Sequence, residues 1–205
     1  MIRAVILTAL GVLMGGYLLY QLGVGELIGG AGNALTGSAC KKTQPMASVL
    51  ALAEIYPLSE ALAKAWKADA VLVRLDNTLT APLQPNGNST DWNVSFYSAA
   101  AKGGRQIHTG DGKLFCSTYR GEPAGYIPAL RPDFKRDGAA LYTLAEKHGQ
   151  ALLGKGYGVM INLWTYSETH HAMWQVTYVK RDGSDSGMRL VVDANTGALE
   201  EIEKH

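Results

Sequence analysis

The chain carries WNVSFY at residues 92–97 and WQVTYV at residues 174–179. Each run alternates apolar and polar side chains, and a period of two is typical of a β-strand that buries one face. The tryptophan that begins each run would share the buried face with the next apolar residues. The two runs therefore predict two similar strands, each at the same place in a repeated unit.

The surroundings of the two runs repeat as well. A helical pattern and one strand precede each run, and a glycine turn follows it, with GKL at residues 112–114 and GAL at residues 197–199. Two anchors that agree in spacing to within three residues indicate a duplication. The alternative is two unrelated hairpins with one tryptophan each.

Two segments have the period of an amphipathic helix. In the first, apolar residues recur from Val49 to Trp66, and Pro57 is expected to break the helix or to begin a new one. In the second, Asp137 is expected to cap a helix that Gly154 and Gly156 end. The predicted buried face of this second helix consists of Ala140, Leu141, Leu144, Ala145, His148 and Leu152.

Period-two patterns also predict the remaining strands. A short strand is expected at residues 105–108 before a turn at residues 109–112, and residues 119–132 are interpreted as a linker because prolines and glycines are spread through them. The other predicted strand faces are Val71, Val73 and Leu75; Val159, Ile161 and Leu163; and Met188, Leu190 and Val192. We therefore predict an α+β protein in which modules at residues 45–118 and 133–205 flank the linker.

The second half resembles a PepSY domain over residues 133–203. The resemblance is carried by the aromatic-x-Val strand at residues 174–178, the RDG hairpin at residues 181–183 and LVVDANTGAL at residues 190–199. The first half resembles the PepSY family less closely, because HTGDG at residues 108–112 replaces the Asp-Ala-x-Thr-Gly element.

The last of these motifs is a structural one. Asp193 and Asn195 are expected to accept local backbone hydrogen bonds, and Gly197 is expected to take the positive φ of the turn. The resemblance implies two tandem cystatin-like modules, each with one helix on a curled antiparallel sheet. PepSY-like domains occur in bacterial envelope proteins and protease propeptides, where they are thought to inhibit or to chaperone, and they contribute no catalytic residues.

The amino-terminal segment is apolar. Ala4 to Val24 contains no ionised side chain over 21 residues, which as a helix would reach about 31 Å and span a bilayer. We predict a transmembrane anchor at residues 1–29 and a glycine-rich stalk at residues 30–44. The alternatives are a cleaved signal peptide, with Gly37-Ser38-Ala39 as the cleavage-like site, and a lipoprotein whose lipidated residue would be Cys40.

The positive-inside tendency predicts the orientation of this anchor. Arg3 and the terminal amine would stay in the cytoplasm, so the rest of the chain would lie in the periplasm of a bacterial cell, anchored in the inner membrane. Gly11, Gly15 and Gly16 lie on one face of the predicted span, where small residues allow a neighbouring helix to approach closely. The alternative is that these are ordinary glycines of a membrane helix.

The chain has two cysteines, Cys40 and Cys116, and neither belongs to a metal-ligand motif. In an exported domain we expect them to form one disulfide, which would stabilise the fold by about 4 kcal/mol in the chain-entropy model. The bond would tie the stalk to the first module.

Composition and motifs indicate neither nucleic-acid binding nor catalysis. Lys and Arg number 19 against 18 Asp and Glu, so there is no global field to recruit nucleic acid. His170 and His171 are interpreted as loop histidines, His148 as a core histidine and His108 as a residue with no visible partner. SDSG at residues 184–187 lies in a short polar hairpin without the other motifs of a serine protease. We predict no catalytic, cofactor or metal site.

Three classes of function follow from these observations. The first is a non-catalytic accessory or scaffolding subunit of an inner-membrane complex, with the lipid bilayer and other membrane or envelope proteins as its partners. The second is a PepSY-type protease inhibitor or propeptide-like regulator. The third, an enzyme, has no constellation of residues to support it.

Overall fold

Within the residues that the computed structural model describes, 44–121, 134–165 and 172–204, the chain forms two helices and eleven strands. The helices are α1 (Leu52–Trp66) and α2 (Gly138–Leu153). The strands are β1 (Gln44–Pro45), β2 (Leu50–Ala51), β3 (Val71–Asn77), β4 (Asn88–Ser89), β5 (Trp92–Ser98), β6 (Gly103–Gly110), β7 (Lys113–Arg120), β8 (Tyr157–Thr165), β9 (Ala172–Lys180), β10 (Ser186–Asp193) and β11 (Leu199–Lys204).

Nine strands form one antiparallel sheet in the order β1-β7-β6-β5-β3-β8-β9-β10-β11, and β2 pairs with β4 in a separate ribbon. In the sheet, four strands follow each helix: β3, β5, β6 and β7 after α1, and β8 to β11 after α2. The first of these four strands in each half, β3 and β8, pair at the middle of the sheet, where Leu75 lies opposite Leu163. The α+β class is confirmed, and the two halves share one sheet.

Both helices pack on the same face of this sheet, which we call the helix face. Trp92 and Trp174 are fully buried there, as the alternating pattern predicted. The Trp92 indole nitrogen donates to the Leu50 carbonyl at 3.0 Å, and that of Trp174 donates to the Lys135 carbonyl at 2.9 Å. Each bond joins the second of the four strands to the chain just ahead of the helix, so the two halves use their tryptophans in the same way.

Helix α1 continues through Pro57, so the prediction of a break at this residue is wrong. A proline inside a helix leaves the carbonyl four residues earlier without its usual donor. Here that carbonyl belongs to Ala53, and both residues are exposed, so water can supply the missing donor. The helix also begins at Leu52 rather than at Val49.

Helix α2 is capped as predicted, since the Asp137 side chain accepts from the Ala140 amide at 2.9 Å and Gly154 ends the helix. The predicted buried face is only partly confirmed, since Leu141 and Ala145 are buried, Ala140 is exposed, and Leu144, His148 and Leu152 are half-buried. Gly149 is buried with a non-helical φ of −129° and ψ of 22°. A Cβ at Gly149 would lie 2.2 Å from the Tyr178 ring, so this glycine lets the kinked helix approach β9.

Strand β3 does not follow the alternation predicted for it. A β-bulge between Leu72 and Arg74 shifts the register against β5. As a result Leu72 and Val73 are both buried, whereas Val71 is exposed. The prediction that Val71, Val73 and Leu75 share a face is therefore wrong, because a bulge inserts one residue without a partner into the strand.

The turns follow local chemistry more closely. Asp111 and Gly112 have φ values of 53° and 66° and join β6 to β7 as a two-residue turn. This turn is shorter than the predicted one at residues 109–112, because β6 continues to Gly110. In the second half, the Asp193 carboxylate accepts from the Thr196 amide at 2.7 Å, and Gly197 has a φ of 78°. The side-chain oxygen of Asn195 is buried without a hydrogen-bond partner among the described residues, so the predicted role of Asn195 as an acceptor is wrong.

The predicted anchor at residues 1–29 and the stalk as far as residue 43 lie outside the described residues. Across the described ranges, neither helix is long and apolar enough to span a bilayer. Strand β7 runs to Arg120, two residues beyond the predicted end of the first module, and most of the predicted linker lies outside the described residues.

Candidate functional site

A row of polar side chains crosses the face of the sheet opposite the helix face. It runs through five adjacent strands in register, because His108 pairs with Asn93, Asn93 with Asp76, Asp76 with Asn162 and Asn162 with Gln175. Cross-strand partners point to the same face, so these side chains are neighbours. We call this row the polar ladder, and it passes through the junction of the two halves.

Hydrogen bonds connect the first-half part of the ladder. Arg74 Nε lies 2.5 Å from Asp76 Oδ1, and Asn93 Nδ2 donates to Asp76 Oδ2 at 3.3 Å. His108 Nδ1 lies 2.6 Å from Asn93 Oδ1, and His108 Nε2 lies 3.3 Å from Asp91 Oδ1. A chain of contacts therefore runs from the exposed Arg74 through the buried Asp76 to Asp91.

The amide of Asn93 determines the tautomer of His108. The Asp76 carboxylate, ion-paired with Arg74, can only accept, so the nitrogen of the Asn93 amide must face it and the oxygen must face His108. His108 Nδ1 must then carry a hydrogen and donate to that oxygen. In a neutral imidazole, the other nitrogen, Nε2, has a lone pair and faces the Asp91 carboxylate.

Asp91 is partly withdrawn from solvent, with 20% of its side chain exposed. Burial raises the pKa of Asp91 above its ordinary value of 3.8; His108 and the Thr78 hydroxyl act in the opposite direction, whereas the nearby carboxylates of Asp111 and Asp76 raise the pKa further. The carboxyl group therefore holds a proton more tightly than a solvated aspartate does.

A cleft of about 520 Å³ opens beside this end of the ladder. The Phe115 side chain is 41% exposed in its wall, and its ring centroid lies 6.0 Å from that of His108. The other polar side chains that line the cleft are Thr80, Thr90, Asp91 and Asp111. The cleft thus combines carboxylates, hydroxyls, an imidazole and one aromatic ring, which suits a polar ligand or a partner side chain.

The structure contradicts the prediction for one histidine and does not test the predictions for two others. His108 does have partners, so the prediction that it has none is wrong. His148 is half-buried on α2, and His170 and His171 lie outside the described residues. Over the described parts of the chain, His, Cys, Asp and Glu side chains form no cluster that could hold a metal ion.

The SDSG segment lies in the exposed β9–β10 hairpin, as expected. The Asp185 carboxylate accepts a hydrogen bond from the Tyr157 hydroxyl and is 3.9 Å from the Lys180 ammonium. The Tyr157 contact ties the hairpin to β8, and the Lys180 contact lies within the hairpin.

Asp76, Asp91 and Asn93 were not predicted as site residues from the sequence. A signal was present, since Asn93 is an outward residue of an alternating strand and Asp76 interrupts an apolar one. Alternation shows which face a residue occupies, but it does not show which residue of another strand lies opposite. The ladder therefore needed the observed register.

Cys116 is half-buried on β7, opposite Ile107. Strand β1 places Gln44 opposite Leu114, two residues from Cys116, and Cys40 precedes Gln44 by four residues. Four extended residues reach up to about 14 Å, so the predicted partner is within reach of Cys116. Cys40, Gly11, Gly15 and Gly16 lie outside the described residues, and the disulfide and the helix-packing face stay predictions.

We expect Cys40 and Cys116 to resist maleimide labelling in denatured, unreduced protein and to react fully after reduction. Denaturation removes burial as a reason for protection, so the remaining protection reports the covalent bond. In the Cys40→Ser variant, Cys116 should react without reductant. Full labelling of both cysteines in unreduced wild-type protein would rule the disulfide out.

Comparison of the chain with protein-family models, curated proteins and solved structures finds no match.

Proposed function

We propose that this protein is a non-catalytic, membrane-anchored interaction module, an accessory or scaffolding subunit of a bacterial inner-membrane complex. The polar ladder and its cleft contact the partner protein, and the apolar segment at residues 4–24 holds the module at the membrane. The folded part lies on the periplasmic side, where the predicted disulfide is stable.

The observation that carries this proposal is the ladder itself. Side chains in five adjacent strands present donors and acceptors in one row, and both helices pack on the other face. The side chains of Asn93, His108 and Gln175 are only half-buried, so their polar groups can reach a partner. A sheet holds such a row rigidly, which lowers the entropy cost of binding.

The test is co-purification from membranes with a charge placed on the ladder. We expect Gln175→Lys to reduce retention of the partner about tenfold, because a long cation at the half-buried Gln175 would have to be desolvated in the interface. Retention is measured by extraction of the full-length protein in mild detergent and quantification of the chains that co-purify.

The matched control is Gln150→Lys, which makes the same chemical change at an exposed position of α2. We expect this variant to keep its partners. Equal retention by both variants would argue against the ladder as the contact surface.

The second candidate is a PepSY-type protease inhibitor. It is favoured by the resemblance of residues 133–203 and by the recurrence of one helix and four sheet strands in each half. An inhibitor would act in solution, whereas a scaffold needs its membrane partner. If the full-length protein blocks an envelope protease and no chain co-purifies with it, the inhibitor function replaces the scaffold function.

A further inference from the structure

Asp91 and His108 face each other with two acceptor atoms. With Nδ1 of His108 donating to Asn93, Nε2 of a neutral His108 has only a lone pair, and an ionised Asp91 Oδ1 has no hydrogen to offer. These two atoms are 3.3 Å apart, and Oδ1 is buried with no hydrogen-bond partner among the described residues. Two acceptors at this distance repel each other unless one hydrogen lies between them.

We propose that Asp91 and His108 bind one proton jointly, and that this proton links the loop at residues 78–91 to strand β6 at the end of the cleft. The proton can reside on either group, since a protonated carboxyl donates to Nε2 and an imidazolium donates to the carboxylate. In both forms the added hydrogen removes the repulsion between the two acceptor atoms.

Other charged groups around the pair affect how tightly Asp91 binds its proton. Asp111 in the β6–β7 turn and Asp76 on β3 add negative charge, and both favour proton uptake by Asp91. Arg74 lies 2.5 Å from Asp76 and offsets part of that charge, and Lys113 is exposed next to the same turn. The Thr78 hydroxyl lowers the pKa of Asp91 and so favours the ionised form of this carboxyl group.

The direction of the pH dependence follows from the raised pKa of Asp91. A carboxyl group whose pKa is higher in the folded state binds its proton more tightly there than in the unfolded chain. The stabilisation is therefore present at low pH and is lost as the pH rises from 3.8, the ordinary value, through the folded pKa. Loss of the proton also adds one negative charge to the cleft.

The test uses the Asp91→Asn variant of the full-length protein in detergent micelles. An asparagine amide can donate to His108 Nε2 at every pH, so it supplies the link without a proton. We expect the unfolding temperature of the wild type to fall relative to that of this variant as the pH rises from 4 to 8. The expected fall is about 3 °C for each tenfold difference in proton affinity between the folded and unfolded states.

Asp111→Asn is the matched control. It removes one carboxylate from the same cleft, and asparagine tolerates the φ of 53° at this turn. Because the His108 contact is untouched, we expect the stability of this variant to fall with rising pH as that of the wild type does. The fall should begin at a lower pH, because the Asp111 charge no longer raises the pKa of Asp91. Parallel profiles for the wild type and Asp91→Asn would overturn the proposal.

A second measurement does not depend on the stability of any variant. In ¹⁵N-histidine-labelled wild-type protein, the resonances of His108 should show hydrogen on Nδ1 and none on Nε2 at pH 8. Hydrogen on Nε2 in the neutral form would overturn the shared proton.

The idea that this proton affects partner binding rests on the proposed function, whereas the existence of the proton site does not. If Gln175→Lys keeps its partners while these pH results hold, only the proposed function fails.

Discussion

Replacing Gly87 with alanine is expected to destabilise the protein by about 3–5 kcal/mol, which would make it one of the most damaging single-methyl additions in the chain. Gly87 has a φ of 77°, and a Cβ there would lie 2.3 Å from the Ala139 amide nitrogen and 2.6 Å from the Gly138 carbonyl carbon. These are backbone atoms at the start of α2 and cannot rotate away. The methyl group would therefore push the 78–91 loop of the first half away from the helix of the second.

Two further variants separate the causes. Gly156 has a φ of 84° with nothing within 4 Å of its Cβ position, so Gly156→Ala measures the cost of the backbone conformation alone, about 1–2 kcal/mol. Gly138→Ala tests the close approach alone, since its Cβ would lie 2.6 Å from the Gly87 carbonyl oxygen. Guanidinium unfolding followed by tryptophan fluorescence measures all three variants. If Gly87→Ala costs no more than Gly156→Ala, the close contact between the halves is not as described.

Replacing Asn77 with leucine is expected to lower the free energy of unfolding by about 3 kcal/mol. Asn77 is fully buried at the end of β3, and its side-chain oxygen accepts from the Ile161 amide of β8 at 2.7 Å. Its side-chain nitrogen donates to the Ala81 carbonyl at 2.8 Å. One amide group thus continues the contact between β3 and β8 where their backbone pairing stops.

The expected loss comes mainly from the Ile161 amide. The Ala81 carbonyl keeps a donor in the Ser89 hydroxyl, at 2.7 Å, whereas the Ile161 N–H would be left buried without its acceptor. Asn86→Leu is the control, because Asn86 is exposed in the same loop and should cost less than about 1 kcal/mol. Similar unfolding midpoints for the two variants would contradict the bridging role of Asn77.

Local features of this protein were predictable because they depend on neighbours in the chain. The tryptophan strands, the Asp137 cap and the Asp111-Gly112 and Gly197 turns each follow from side-chain period or from a preferred φ. Two predictions from local sequence rules failed. Pro57 stays inside α1 at an exposed position, where water can supply the donor that the Ala53 carbonyl lacks, and the β3 alternation is broken by a bulge against β5.

The chain's own pattern thus determined the kinds of element, their order and the buried faces of most strands, since these depend on interactions over a few residues. Tertiary structure alone decided that β3 pairs with β8, that Gly87 touches Gly138, and that His108, Asn93 and Asp76 form one row. The physical reason is that strand register and backbone contact are decided by the packing of distant segments. The grouping of residues into the candidate site was therefore decided by the tertiary structure alone.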